Sequence, residues 1–262
     1  MPKYSDFAAV IFDVDCTLLD DQPPGEEMGL HEQSRLAAAR VVGKRHGLPG
    51  LENITPRQCR QAFEESKVHV VFGVVWQMLV IAGVVSDQQQ VDFDHPLVKE
   101  IVDLKEELHE EILRTKGQEI EGASAFIRLL AENGFAGKLA IASTANRRDI
   151  DIFFEITGLG EFFPDDKIIS RQVFTHAKPH PEAFNLAFAT LGLPETVRSK
   201  VLAFEDDPRG VMSAKAAGLY TCAITTRHKK EDLAKLAVPP DLIAGSFAEF
   251  TQLFGLPVKL EA

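Results

Sequence analysis

Short apolar runs recur along this chain at helix-length intervals, and that alternation limits its folds more than any other feature. The runs are Ala8-Ala9-Val10-Ile11-Phe12, Leu139-Ala140-Ile141-Ala142, Ile168-Ile169, Val201-Leu202-Ala203-Phe204, Thr221-Cys222-Ala223-Ile224 and Leu242-Ile243-Ala244. Continuous rather than alternating hydrophobicity marks strands covered on both faces. Between the runs, apolar residues fall at helical spacing: Phe126, Leu129 and Leu130 before a terminating Gly134; Ile150, Phe153 and Phe154; and Phe184, Ala187, Phe188 and Leu191 behind Pro181. Strands alternating with helices imply crossover units, and right-handed crossovers place helices on both faces of the sheet. The fold expected is α/β, a doubly wound parallel sheet.

The alternation fails between the first run and Gly122. Asp20 to Gly25 is dense in turn residues and reads as an exit loop. His31 to Arg45 reads as a helix closed by Gly47 and Pro49, and Thr55-Pro56 as an N-cap and first turn. Leu97, Ile101, Leu104, Leu108 and Ile112 form the apolar stripe of a helix with an acidic outer face. The division expected is therefore an α/β core over residues 1–20 and 120–262, with an all-helical cap inserted at 21–119. Within it, Val68 to Val85 is apolar enough to approach the lower limit for a membrane span. Glu64, Glu65 and Asp87 flank it and Gly73 and Gly83 interrupt it, so burial in the insert's own core or in a dimer surface is expected.

Charge narrows the partners. With 28 basic against 39 acidic residues the net charge is −11, which disfavours nucleic acid and acidic lipid and leaves an anionic substrate to a local cluster. The chain's 3 cysteines, far apart and odd in number, do not form a disulfide framework. The N-terminus lacks the form of a secretory signal, and a cytoplasmic setting is expected.

Polar residues collect where the strands end, the edge at which open α/β sheets bind ligands. Asp13, Asp15 and Thr17 follow the first run, Ser143 the second, Lys178-Pro179 the third, and Glu205-Asp206-Asp207 the fourth. Each has a plain structural alternative. The paired acids could be solvated, Ser143, Asn146 and Asp207 could cap helices, and Lys178 could be a loop cation. Together, carboxylates with one Lys and a hydroxyl suit phosphoryl transfer. The acids favour a hard cation, a carboxylate can act as nucleophile, and a second can shuttle the proton.

The motifs Asp13-Val14-Asp15-Cys16-Thr17-Leu18, Ser143, Lys178-Pro179-His180-Pro181-Glu182 and Glu205-Asp206-Asp207-Pro208-Arg209-Gly210-Val211 stand in the order of the four motifs of the haloacid dehalogenase superfamily. The chain most resembles its β-phosphoglucomutase and phosphoglycolate-phosphatase-like branch. The resemblance implies that Asp13 is the nucleophile and a Mg²⁺ ligand, and that Asp15 is the general acid/base and gives its carbonyl to the metal. It makes Lys178 the residue that neutralises the phosphoryl group and holds Asp13, and Asp206, with Glu205 in support, the remaining metal ligands. Thr17, Ser143, Thr144 and Asn146 then bind phosphate, and the cap supplies His31 and Arg35, with Lys67 and His69 as further candidates. Cys16 stands where Gly is usual, which predicts an altered turn and, if the thiol is exposed, sensitivity to oxidation.

The function expected is a Mg²⁺-dependent phosphatase that hydrolyses a small phosphorylated metabolite through an aspartyl-phosphate, with a sugar-phosphate mutase as the alternative. An acid at position 15 argues against carbon–halogen and carbon–phosphorus cleavage by the same resemblance. A receiver-type signalling module is disfavoured by motif order, and a degenerate binding protein by the intact acids and Lys178.

Overall fold

The computed structural model describes residues 2–68 and 70–257. In chain order the elements begin with β1 (Ala9–Phe12) and β2 (Leu19–Asp20). The helices α1 (Leu30–Arg45), α2 (Pro49–Glu52), α3 (Pro56–Glu65), α4 (Val71–Ile81) and α5 (Pro96–Lys116) follow. Then come β3 (Gln118–Glu119), α6 (Ala123–Leu130), β4 (Leu139–Ala142), α7 (Arg147–Thr157), β5 (Ile168–Ile169), α8 (Glu182–Thr190) and β6 (Val201–Glu205). The chain finishes with α9 (Pro208–Ala216), β7 (Tyr220–Ile224), α10 (Lys230–Ala234), β8 (Leu242–Ala244) and α11 (Phe247–Phe254). Contacts divide it into two units, one running to Asp20 and resuming at Gln118, the other Asp21–Gly117.

In the first unit six parallel strands lie in the order β5-β4-β1-β6-β7-β8. β1 is central and wholly buried, with Phe12 opposite both Ile141 and Phe204. Its continuous apolar run still has two faces, because successive side chains point to opposite sides of a strand. Ala9 and Ile11, with Ala140, Ala142, Val201 and Ala203, pack against Ala183, Phe184, Ala187 and Phe188 of α8 and Ala214 of α9. The other face is aromatic: Phe12 stacks on Phe204 at 5.0 Å, and Phe204 meets Phe126 of α6 and Phe250 of α11 edge-on. Each buried Phe contributes on the order of 1.5–3 kcal/mol. The small residues of the first face let α8 and α9 approach the strands closely.

β2 and β3 form a separate antiparallel pair, Leu19 opposite Glu119 and Asp20 opposite Gln118. The expected exit loop at Asp20 thus begins as a strand. Two-residue strands carry no periodicity, so nothing in the sequence announces them. Gly134 takes φ +96° and ends the helical stretch after α6, as expected.

The second unit is helical. Thr55 caps α3 by accepting from the Gln58 N–H at 3.2 Å, while the Gln58 side chain accepts from the Thr55 N–H at 3.0 Å. This reciprocal box satisfies two otherwise orphaned donors. Pro49 opens the short α2 rather than merely closing α1. The apolar segment becomes α4, whose Val74, Val75, Trp76, Met78 and Leu79 enter the unit's core beside Ala38, Ala39 and Val42 of α1. No helix among the described residues is long and apolar enough to cross a membrane.

On α5 the buried face is Val98, Ile101, Val102, Lys105, His109 and Leu113, turned from the expected stripe. Leu97, Leu104 and Leu108 are only partly buried at its margin. Lys105 enters the face by laying its stem inward with Nζ 3.0 Å from Glu106, and His109 enters by stacking on His31 at 3.9 Å. Polar side chains with buried stems or rings do not register in an apolar count.

Candidate active site

β1 ends one residue before Asp13, whose N–H donates to the Phe204 carbonyl at 3.0 Å and so continues the pairing with β6. The chain then folds into a tight loop rather than staying extended. The Val14 carbonyl accepts the N–H groups of Thr17, Leu18 and Leu19 at 3.2, 2.8 and 2.9 Å, and the Cys16 N–H donates to Leu19 at 2.7 Å. Cys16 takes φ +59°, in the left-handed region that favours glycine. Holding a residue with a Cβ there costs about 1–2 kcal/mol, which the loop's hydrogen bonds and the Thr226 hydroxyl donated to the Cys16 carbonyl offset. Cys16 is also buried, so its side chain is withdrawn from solvent rather than exposed.

Lys178 is the hub of the site. Its Nζ lies 2.5 Å from Asp13 Oδ1 and also donates to Glu205, and all three side chains are buried. The ammonium sits 4.9 Å from the Phe184 ring centre, which walls it from solvent. Burial alone would lower the Lys178 pKa, but the two carboxylates outweigh it and hold the group charged above its ordinary range.

Glu205, the last residue of β6, turns back on its own chain. Its second oxygen accepts the N–H groups of Asp206 and Asp207 at 3.1 and 3.2 Å. Asp207 then caps α9 by accepting from the Arg209 N–H at 2.8 Å, so the plain reading of that acid is the observed one.

Asp206 receives the Thr17 hydroxyl on Oδ1 at 3.2 Å. Its Oδ2 is buried with no hydrogen-bond partner among the described residues. Burial raises the pKa of Asp206 well above the usual carboxylate range, and the neighbouring Glu205 adds to this. The same holds for Asp13, where burial is the largest effect, Lys178 opposes it, and Glu205, Asp206 and Asp15 reinforce it. Asp13, Glu205 and Asp206 offer oxygens within 4.8 Å of one another. Three buried carboxyl groups crowded together disfavour one another's ionisation, and the orphaned oxygen of Asp206 is a further penalty of about 1–3 kcal/mol or more. An all-oxygen donor set of acids with one oxygen left without a partner among the described residues fits a hard divalent cation.

The remaining expected residues are less closely joined. Asp15 is partly buried in the loop and makes a bridge to Leu19. Ser143 lies two residues beyond Ile141, the β4 partner of Phe12, and its Oγ accepts the Ala145 N–H at 3.1 Å. Thr144 is exposed on the same loop. Asn146 is the N-cap residue of α7, but its side chain accepts from Gln172 at 3.2 Å rather than capping the helix. His31 and Arg35 belong to the helical unit, where His31 stacks on His109 and the Arg35 guanidinium lies 5.9 Å from the Phe63 ring centre. Lys67 makes an exposed 3.7 Å pair with Asp87, and His69 lies outside the described residues.

Sequence reasoning missed Thr226 and Arg227. Thr226 ties the loop after β7 to Cys16, and the Arg227 charge lowers the Asp206 pKa against burial. Both follow a strand at the same sheet edge, a position that would have singled them out.

A family model described as hydrolase, haloacid dehalogenase-like hydrolase, matches residues 7–218. The chain is 34% identical over 83 residues to the validoxylamine A 7'-phosphate phosphatase of Streptomyces hygroscopicus, covering 32% of this chain and 38% of that protein. It is 31% identical over 118 residues to the pyrophosphatase PpaX of Oceanobacillus iheyensis, covering 45% and 52%. The matched stretches thus span about half or less of these relatives' lengths. Among solved structures, a family IA, variant 3 hydrolase from Entamoeba histolytica is similar in fold, with TM-score 0.70, 21% identity and coverage of 95% and 98% of the two chains.

Proposed function

This chain belongs to the haloacid dehalogenase-like hydrolases, and from that membership we propose that it is a phosphatase acting on a small phosphorylated metabolite through an aspartyl-phosphate on Asp13. The observation that carries the proposal is the Lys178 ammonium 2.5 Å from Asp13 Oδ1, which holds the carboxylate oriented and keeps a cation where phosphoryl oxygens would sit. The relatives named as a phosphatase and a pyrophosphatase support this substrate class.

With Oδ1 engaged by Lys178, Oδ2 of Asp13 attacks phosphorus as the bond from phosphorus to the ester oxygen breaks. Asp15 gives its proton to that departing oxygen, then, as a carboxylate, takes one from water. The water oxygen displaces Asp13 from phosphorus, releasing inorganic phosphate and restoring the carboxylate. Lys178 offsets the charge that spreads over the phosphoryl oxygens, with Ser143, Thr144 and Asn146 on the neighbouring loop as further binding groups. Thr17 orients Asp206 through its hydroxyl. Asp13, Asp206 and the Asp15 carbonyl, with Glu205 in support, would hold a divalent cation, which we infer to be Mg²⁺. When bound, it neutralises the carboxylates and the phosphoryl group.

The test is phosphate release from a panel of phosphorylated sugars, glycolate, nucleotides and amino-acid derivatives, with and without Mg²⁺, for the wild type and Asp13→Asn. Mg²⁺-dependent release that the variant loses is the expected result. Substantial turnover by the variant would overturn the nucleophile assignment. Isomer interconversion with a bisphosphate primer, without net release, would replace hydrolysis by the mutase reaction.

A further inference from the structure

His176 and His180, in the loop between β5 and α8, and Glu182, the first residue of α8, bring together a second set of nitrogen and oxygen donors that the reaction above does not use. His176 Nδ1 lies 2.7 Å from Glu182 Oε2, and His180 Nδ1 lies 3.9 Å from the same oxygen. The two imidazole rings are 4.5 Å apart between centres. Two ring nitrogens and one carboxylate oxygen thus converge within 4.8 Å of one another. Both rings face solvent, with side-chain exposures of 64% and 51%.

The donors are held in place by the loop itself. Glu182 Oε1 accepts the Thr175 N–H at 3.1 Å and Oε2 the His176 N–H at 2.8 Å. The Ser213 hydroxyl of α9 donates to the His180 carbonyl at 2.7 Å, and the His180 N–H donates to Ala177 at 3.0 Å. The two backbone N–H groups keep the Glu182 carboxyl ionised, with its pKa drawn down to about 2. A loop already ordered by four such bonds loses little further entropy when an ion binds.

We propose that His176, His180 and Glu182 form a surface site for a borderline divalent cation of the Zn²⁺ class, separate from the buried carboxylates around Asp13. Two imidazoles, one carboxylate and a water complete the four-coordinate shell that Zn²⁺ prefers. Mg²⁺ favours six oxygens and competes poorly for imidazole. The histidines stand two residues either side of Lys178. An ion bound by both closes a clasp around the residue that reaches Asp13, so occupancy stiffens the loop that presents the ammonium.

Equilibrium dialysis against Zn²⁺ in excess Mg²⁺ tests the site, comparing wild type, the double variant His176→Ala/His180→Ala, and Asp206→Asn. The expected result is one Zn²⁺ per chain in the wild type and in Asp206→Asn, and at least a tenfold loss of affinity in the double variant. Binding by the double variant at wild-type affinity, loss of the ion in Asp206→Asn, or no binding by the wild type would each overturn the proposal. A second measurement needs no variant. In ¹⁵N-histidine NMR of the wild type, Zn²⁺ should shift the Nδ1 signals of two residues, and unmoved signals would equally overturn it. The failure of phosphatase activity would leave these readouts unaffected.

Discussion

The α-carbon of Gly210 faces the Glu205 carboxylate so closely that a β-carbon there would lie 1.9–2.1 Å from its three atoms. Gly210 belongs to the first turn of α9, and Glu205 lies over it while bonding to Lys178 and to two backbone N–H groups. Gly210→Ala should therefore push the carboxylate off Lys178. The expected effects are a destabilisation of about 1–3 kcal/mol in urea denaturation, as for other overpacked sites, and a marked fall in kcat for phosphate release. A variant with wild-type stability and turnover would show that Glu205 can relocate without consequence.

Lys178→Met removes the cation that Asp13 and Glu205 share. Leaving a buried charge without its partner destabilises by about 3–5 kcal/mol. The deficit should depend on pH in a fixed direction. Lys178 is held above its ordinary range, so in the wild type it stays charged at neutral and acid pH and the pH dependence comes from its carboxylate partners. Without it the Asp13 pKa rises further, and protonation relieves the unpaired charge as the pH falls. Melting temperatures of the two proteins should converge toward acid pH, and a gap that widens would contradict the pairing.

A divalent cation should stabilise the fold, because its ligands exist together only in the folded chain. At 100 times its Kd, a ligand that binds only the native state adds about 2.7 kcal/mol. Thermal melts with rising Mg²⁺ should show an upward shift that Asp206→Asn abolishes. Thr17→Val, which removes the hydroxyl donated to Asp206 Oδ1, should move the midpoint to higher Mg²⁺.

Cys16, Cys59 and Cys222 are all buried. Burial also raises the pKa of the Cys59 and Cys222 thiols, which keeps them protonated. A thiol reagent should label none of the 3 in the native protein and all of them after unfolding. Rapid native-state labelling located at Cys16 by peptide mass mapping would contradict its burial in the tight loop after β1.

The parallel sheet is legible because its strands are continuous apolar runs, and the segments that follow them carry Asp13, Lys178, Glu205 and Asp206. What escaped the sequence was mostly the direction of side chains. Thr17 faces Asp206, Glu205 folds back toward its own backbone, and Lys105 and His109 enter the helical core in place of Leu104 and Leu108. Such choices depend on partners distant in the chain and leave no periodic trace. Cys16 shows a different limit. Its preference opposes the left-handed conformation, and the loop's hydrogen bonds override that preference.

The pairing of Leu19–Asp20 with Gln118–Glu119 brings together the two points where the polypeptide leaves and rejoins the sheet-bearing unit. Everything between them is a detour whose endpoints are already neighbours. Its length and content can change while the strand order and the positions of Asp13 and Lys178 stay as they are. A short turn joining residue 20 to residue 118 would therefore splice the segment out without rethreading a single strand of the sheet.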